Sequence, residues 1–267
     1  MSRKLWSASP QRLPLWRRDV SRTALLLALA VGIFLLTACT LTREDSTPAQ
    51  DVVASIPWKV GEETSYAIMD GDKQVGTGVL SIEQENGQFR LTQHYQDPDF
   101  DDSSSVLVDP QTLKPIEGER VIASKDGVLR IDVHYSGATA EIERTVTKQG
   151  KEDDRRTDQL DVPEHAYDTG ASLFLWRTIP MQVGYRAAYR SMATAVVGKS
   201  QENKVTLRVV RQETVQVPAG TFQAWRVEVR APGVKQTAWY AAGDSARRLL
   251  KYDSGQYTFL LESVKEG

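Results

Sequence analysis

Cysteine and histidine are scarce in this sequence of 267 residues. It contains one cysteine, Cys39, and three histidines, His94, His134 and His165. A single cysteine cannot form a disulfide within the chain, and the histidines lack the spacing typical of a zinc site. The sequence has neither a G-x-S-x-G nucleophile elbow nor a glycine-rich phosphate loop. These absences predict no metal, no cofactor and no nucleophilic catalysis, and they indicate that the protein is not an enzyme.

Long hydrophobic runs are also missing, with one exception near the N-terminus. Residues 24–38, ALLLALAVGIFLLTA, form an uncharged run of about 15 residues, whereas a membrane-spanning helix needs roughly 20. Arg17, Arg18 and Arg22 precede the run and small residues end it, which is the pattern of a secretory signal. We therefore expect residues 1–38 to be a signal peptide and the rest of the chain to be exported.

The residues that end this run carry a more specific motif. Leu36-Thr37-Ala38-Cys39 resembles the lipobox of bacterial lipoproteins. The resemblance implies that the Cys39 thiol receives a diacylglycerol, that the signal is cut before it, and that acyl chains such as palmitate anchor the protein outside the cytoplasm. Thr40, and not Asp, follows Cys39. In a cell with two membranes this resembles the pattern of lipoproteins sent to the outer membrane. In a cell with one membrane, the expected anchor lies in the outer face of that membrane. An ordinary cleaved signal ending near Ala38 and an uncleaved N-terminal anchor are the alternatives.

Negative charge prevails in the mature chain. Loss of residues 1–38 removes six basic residues and one acidic residue, which changes the formal net charge from −2 to −7. Nucleic-acid binding depends on basic residues that neutralise phosphates, so this balance argues against it. It also argues against electrostatic attachment to anionic lipid, which leaves the acyl chains on Cys39 as the predicted membrane contact.

After the cysteine, the polar stretch TLTREDSTPAQDVVAS has no periodicity. We expect residues 39–56 to be the lipidated cysteine and a flexible tether. Residues 57–267 are predicted to form one β domain, because QFRLTQHYQ at 88–96 and VLRIDVHY at 128–135 alternate apolar and polar residues between turn signals.

Strands at this spacing predict an all-β fold, a single antiparallel sheet curled into a half-barrel or barrel-like domain. One stretch departs from the pattern. The sequence DTGASLFLWRTIP at 168–180 predicts one short helix near 169–178, capped by Asp168 or Thr169 and ended by Pro180.

The C-terminal half carries motifs of turns and core aromatics. RQETVQVPAGTFQAWRVEV at 211–229 and TAWYAAGDSARRLLKYD at 237–253 resemble a family of exported bacterial β-proteins of unknown function. The resemblance spans most of residues 57–263. It implies an antiparallel half-barrel or barrel-like fold, similar in shape to periplasmic lipoprotein carriers, and it transfers no catalytic residue.

Three functional hypotheses follow. The first is a non-catalytic module that binds an apolar small molecule or a lipid-bearing partner on the concave sheet face, lined by Trp176, Trp225, Trp239 and Tyr257. The second is a structural or protein-interaction module of the cell envelope with a filled core. The third is a hydrolase that uses carboxylates such as Glu117, Glu119, Glu141 and Glu143. The domain is expected to be a monomer, and a filled sheet interior would favour the second hypothesis over the first.

Overall fold

The computed structural model describes residues 46–148, 151 and 153–267. In this part of the chain a 3-10 turn (Thr169–Ala171) and a short helix, α1 (Ser172–Leu175), accompany fifteen strands. The strands are β1 (Glu63–Asp70), β2 (Lys73–Glu85), β3 (Gln88–Gln96), β4 (Phe100–Val108), β5 (Pro115–Ser124), β6 (Gly127–Ser136), β7 (Thr139–Thr147), β8 (Asp154–Asp161), β9 (Ala166–Asp168), β10 (Arg186–Ala193), β11 (Gln201–Val217), β12 (Gly220–Ala231), β13 (Val234–Ala241), β14 (Leu249–Asp253) and β15 (Thr258–Lys265). No helix among these residues is long and apolar enough to cross a membrane. The predicted signal peptide and Cys39 lie outside the described residues.

All fifteen strands belong to one sheet. Its order is β8-β7-β6-β5-β4-β3-β2-β1-β15-β14-β13-β12-β11-β10-β9, an antiparallel meander in which β1 pairs with β15 and only β9 runs parallel to its neighbour β10. The sheet curls until β9, at one edge, lies against β5. No hydrogen-bonded ladder joins the two edge strands, β8 and β9, within the described residues, so the curl is not closed. The predicted all-β fold with a single curled sheet is confirmed.

Local sequence explains the strands and many of their turns. In β6, Ile131 and Val133 are buried and alternate with the outward-facing Asp132, as the period of two predicts. The predicted turn ENGQ joins β2 to β3, where Asn86 has φ of 51° and Gly87 has φ of 83°. These are the positive angles that a tight hairpin needs.

A plug segment, Ala171–Ile179, fills the concave face of the sheet. All nine of its residues are buried. The Phe174 ring packs edge-on to Trp58 at 6.4 Å, and the Tyr240 hydroxyl donates to the Leu173 carbonyl at 2.9 Å. The interior of the sheet is therefore occupied by the protein's own chain.

The predicted short helix is confirmed in this segment, and it ends at Leu175, earlier than predicted. Asp168 is one of the two predicted caps, and its side chain accepts a hydrogen bond from the Gly170 N–H at 2.6 Å. After Leu175, however, the Thr178 N–H donates to the Leu175 carbonyl three residues back, so the chain tightens and leaves the helix. Within the plug segment, regular α-helix is confined to Ser172–Leu175.

The predicted flexible tether over 39–56 needs a correction in its second part. The Gln50 N–H donates to the Ala188 carbonyl at 2.8 Å, and the N–H groups of Ala54 and Ser55 donate to the Thr178 carbonyl at 3.1 and 3.2 Å. Val52 is buried in the main core. Residues 47–56, called the docked segment below, thus pack on the β domain, because backbone hydrogen bonds and one buried side chain hold a stretch that lacks periodicity.

Candidate functional site

The aromatic residues predicted to line a ligand groove are dispersed. Trp176 belongs to the plug, is 3% exposed, and donates its indole N–H to the Tyr189 hydroxyl at 3.0 Å. Trp239 is half-buried, with its indole N–H donating to a Glu213 carboxylate oxygen at 2.6 Å and the Lys251 ammonium 5.0 Å from its ring. Since Tyr240 is buried beside the plug and follows Trp239 in β13, Trp239 lies on the opposite, outer face.

Trp225 and Tyr257 occupy two further places. Trp225 is partly buried against the core and pairs across strands with Tyr240. Tyr257 lies in the turn between β14 and β15, where its N–H donates to the Ser254 hydroxyl at 2.9 Å. The structure therefore places Trp176 and Trp225 in and beside the packed interior and Trp239 on the outer face, and it does not gather the four into one groove.

A buried carboxylate, Asp168, joins the plug to the two halves of the sheet. Its Oδ2 atom accepts two hydrogen bonds, one from the Thr194 hydroxyl at 2.8 Å and one from the Tyr135 hydroxyl of β6. Burial raises the pKa of Asp168 above its ordinary value of 3.8, although hydrogen bonds from Tyr135, Thr194 and Gly170 oppose the rise. Asp168 is enclosed by these donors, so its arrangement is that of a structural latch.

This latch predicts a dependence of stability on pH. Because the pKa of Asp168 is raised in the folded state, its contribution to stability is greatest below the ordinary Asp value and is lost as pH rises through the raised value. As pH rises from below the ordinary Asp value, at about pH 3.5, to about pH 8, we expect the denaturation midpoint of wild type to fall relative to that of Asp168→Asn, whose amide does not titrate. Urea unfolding of both proteins at the two pH values is the measurement. Identical pH dependence would contradict the role of Asp168.

A second buried polar group ties the end of the plug to Glu62, the residue just before β1, and to the β13–β14 loop. The Arg177 guanidinium contacts the Glu62 carboxylate at 2.8 Å, and the two side chains are 4% and 5% exposed. Arg177 also donates to the Ala246 carbonyl at 2.6 Å and stacks 5.3 Å from the Trp58 ring. Every one of these contacts is internal, so the pair is a structural clamp.

A charged groove opens on the outer face of the sheet, across β3 and β5–β8. Its volume is about 420 Å³. The outward-facing residues of β6 alternate with Ile131 and Val133, which pack inside. Five carboxylates, two guanidinium groups and one imidazole line the groove, contributed by Glu117, Glu119, Asp132, Glu141, Glu143, Arg90, Arg130 and His134.

Strand register explains why these carboxylates meet. Glu119 of β5 faces Asp132 of β6, which in turn faces Glu143 of β7. Like charges directly opposite each other destabilise a sheet. Arg130 offsets part of this repulsion, with contacts of 2.9 Å to both Glu119 and Asp132. Glu119, Asp132 and Glu143 thus form a row of carboxylates across three strands, with Glu143 at one end.

The carboxylate side chains of the groove are open to solvent. The side chains of Glu119 and Asp132 are 40% and 43% exposed, so solvent reaches both carboxylates. The histidines are also separate: His94 pairs with Asp101 at 2.9 Å, and His165 lies 3.3 Å from Asp51. In the described part of the chain, no group of three or more metal-ligating side chains could hold an ion.

Three of these features were not predicted from sequence: the docked segment, the Asp168 latch and the Arg177 clamp. Arg177 offered a signal, since it is the one charged residue in the apolar run that forms the plug. Its partner Glu62 lies 115 positions away, and no local pattern connects the two.

The sheet, its plug and its outer groove define a class: a single-sheet, barrel-like β domain with an occupied interior. The family model described as "Protein of unknown function (DUF3108)" matches residues 63–257. The chain belongs to this family, which confirms the predicted resemblance to a family of unknown function. No curated protein is significantly similar to the sequence.

Solved structures support the fold. A beta-barrel-like protein of the domain of unknown function DUF1849, from Brucella abortus, is similar with a TM-score of 0.50 and 11% identity, over 79% of this chain and 99% of that one. A Bacteroides fragilis protein with a YmcC-like fold has a TM-score of 0.30 and 13% identity, over 80% of this chain and 100% of its own. The first similarity shows the fold alone, and the second is too low to support an argument.

Proposed function

We propose that the chain is an exported lipoprotein, anchored through Cys39, whose β domain is a non-catalytic interaction module of the cell envelope. In a two-membrane cell the anchor would lie in the outer membrane, and otherwise on the outer face of the cytoplasmic membrane. The lipobox residues 36–39 support the anchor. Two or three acyl chains provide stable attachment where one gives only marginal binding.

One observation carries the choice of an interaction module: the concave face is filled. The plug segment, Ala171–Ile179, is buried along its whole length, and its neighbours include Trp58, Tyr189 and Tyr240. An apolar ligand on this face would have to displace the chain itself. The arrangement therefore favours the filled-core hypothesis over the apolar-ligand hypothesis.

The charged groove is the surface that we assign to the partner. In this groove Glu119, Asp132 and Glu143 face one another across strands, although repulsion between like charges destabilises the sheet. Residues that lower stability are common where a surface serves binding. Five carboxylates against two arginines favour a polypeptide segment rich in lysine or arginine.

The destabilising effect of this row of carboxylates can be measured by urea unfolding. Glu143→Gln removes one carboxylate that faces Asp132, so we expect a modest rise in the urea midpoint. The matched control is Glu83→Gln, because Glu83 faces the opposite charge of Arg90 across strands and its loss should leave the midpoint unchanged or lower it. A fall in the midpoint of Glu143→Gln would show that the row is not under repulsion.

Photo-crosslinking in living cells tests the groove. A photoreactive residue replaces Thr157, which lines the groove from β8; the control position is Thr221, an exposed threonine of β12. We expect a discrete crosslinked polypeptide from position 157 and none from 221, and loss of that product in Glu119→Lys/Glu143→Lys. Equal crosslinking at both positions, or a product indifferent to charge reversal, would contradict binding through the groove.

A further inference from the structure

The direction of the docked segment shows where the chain enters the β domain. Asp51 lies 2.5 Å from the Lys114 ammonium and 3.3 Å from the His165 imidazole. Burial alone would raise the pKa of Asp51, but the hydrogen bond and charge of Lys114, together with hydrogen bonds from His165 and Tyr167, lower it below its ordinary value. Just before Asp51, Ala49 forms a parallel bridge with Ala188 of β10. Because the bridge is parallel, Thr47 and Pro48, which precede Ala49, run back toward the start of β10.

The loop at this end of β10, residues 180–185, carries an exposed apolar side chain. Val183 is 60% exposed, the largest value among the exposed large hydrophobic residues of the described chain. Tyr185, at the end of the loop, forms a hydrogen bond with the side chain of Gln50 in the docked segment. The loop is thus a direct neighbour of the point at which the chain enters.

Two exposed arginines lie beside this loop. Arg186 begins β10 and faces Arg208 of β11 directly across the strands. Neither guanidinium forms an ion pair within the described residues. Like charges in this position repel each other. Glu228 of β12 faces Arg208 from the other side, but its carboxylate contacts Arg226 and Arg230. An anionic group placed between Arg186 and Arg208 would therefore be favoured. Phosphate is such a group, and guanidinium recognises it through paired hydrogen bonds.

We infer that the β10 entry face, made up of loop 180–185 with Arg186 and Arg208, lies against the surface of the bilayer to which Cys39 is anchored. The inference rests on the proposed lipid anchor. Cys39 precedes Thr47 by eight residues, a length that spans at most about 28 Å. The anchor therefore keeps the end of the domain that bears Val183 close to the lipid. Val183 enters the interfacial region, and the two arginines contact lipid phosphates.

Site-specific fluorescence tests this orientation in the full, lipidated chain. Because Cys39 is acylated, a cysteine placed at Val183 is the free thiol for an environment-sensitive label. The matched control is Val197, which is 53% exposed and lies in the loop beyond the opposite end of β10. The protein is reconstituted in vesicles of phosphatidylethanolamine and phosphatidylglycerol that contain a headgroup-nitroxide quencher. We expect several-fold stronger quenching at Val183→Cys than at Val197→Cys, and loss of that difference in Arg186→Gln/Arg208→Gln.

Flotation of the same samples separates the two proposals. A protein that floats with the vesicles but shows equal quenching at both positions keeps its anchor and overturns the orientation. A protein that does not float overturns the lipid anchor, and the orientation with it. Quenching stronger at Val197→Cys would place the opposite end of β10 at the membrane and would also overturn the inference.

Discussion

Replacing Arg177 with methionine is expected to destabilise the β domain by about 3–5 kcal/mol, because it removes one partner of a buried ion pair. Arg177 and Glu62 are almost fully buried, and Arg177 also satisfies the Ala246 carbonyl and stacks on Trp58. The methionine side chain keeps most of the volume of arginine. The decrease in the free energy of unfolding therefore reflects the lost polar contacts more than the creation of a cavity. The Arg248 guanidinium, 3.5 Å from Glu62, compensates only in part. Equilibrium urea unfolding gives the free-energy difference.

Arg130→Met is the matched control for this prediction. Arg130 also contacts two carboxylates, at 2.9 Å each, but its side chain is 49% exposed. Exposed ion pairs contribute little, so we expect a change within about 1 kcal/mol. A similar effect for the two variants would show that burial does not set the strength of the Arg177 clamp.

Replacing Cys39 with serine is expected to abolish lipid attachment, since only a thiol accepts the diacylglycerol that the lipobox resemblance implies. The variant should remain as uncleaved precursor or be released as soluble protein. Metabolic labelling with a radioactive fatty acid, followed by membrane fractionation, measures both effects. The control is Thr40→Ser, which changes a neighbouring hydroxyl residue and leaves the thiol in place, and it should label like wild type. Equal labelling of the Cys39→Ser protein would refute the anchor.

The strands could be predicted because their cause is local. The alternation in QFRLTQHYQ corresponds to β3, and the run VLRIDVHY lies within β6. Turn residues such as Asn86 and Gly87 reveal where hairpins close, since few residues adopt positive φ. An apolar run ended by Pro180 likewise indicated an interruption of the meander, which is the plug.

The candidate site could not be predicted in the same way, because its residues meet through register and long-range contacts. The alternating carboxylates of β5 and β7 are visible in the sequence, but Glu119 and Glu143 join one row only through Asp132 of the strand between them. The docked segment is held by contacts such as Asp51 with Lys114, 63 positions apart. Its polar composition gives no periodic signal, so it resembled a free tether. The predicted aromatic groove assumed an empty interior, and sequence periodicity indicates which side of a strand is buried without identifying what covers that side.

Native mass spectrometry tests the central claim, that the interior of the β domain is occupied by its own plug and holds no apolar cargo. The Cys39→Ser chain, exported with an ordinary cleaved signal, is purified from bacteria without detergent and sprayed under native conditions. We predict the mass of the bare polypeptide, and no binding of a fluorescent fatty-acid probe at micromolar concentration. A stoichiometric lipid-sized adduct that is released on unfolding, or saturable probe binding that weakens in Trp225→Ala or Trp176→Phe, would contradict the account and restore the apolar-ligand hypothesis.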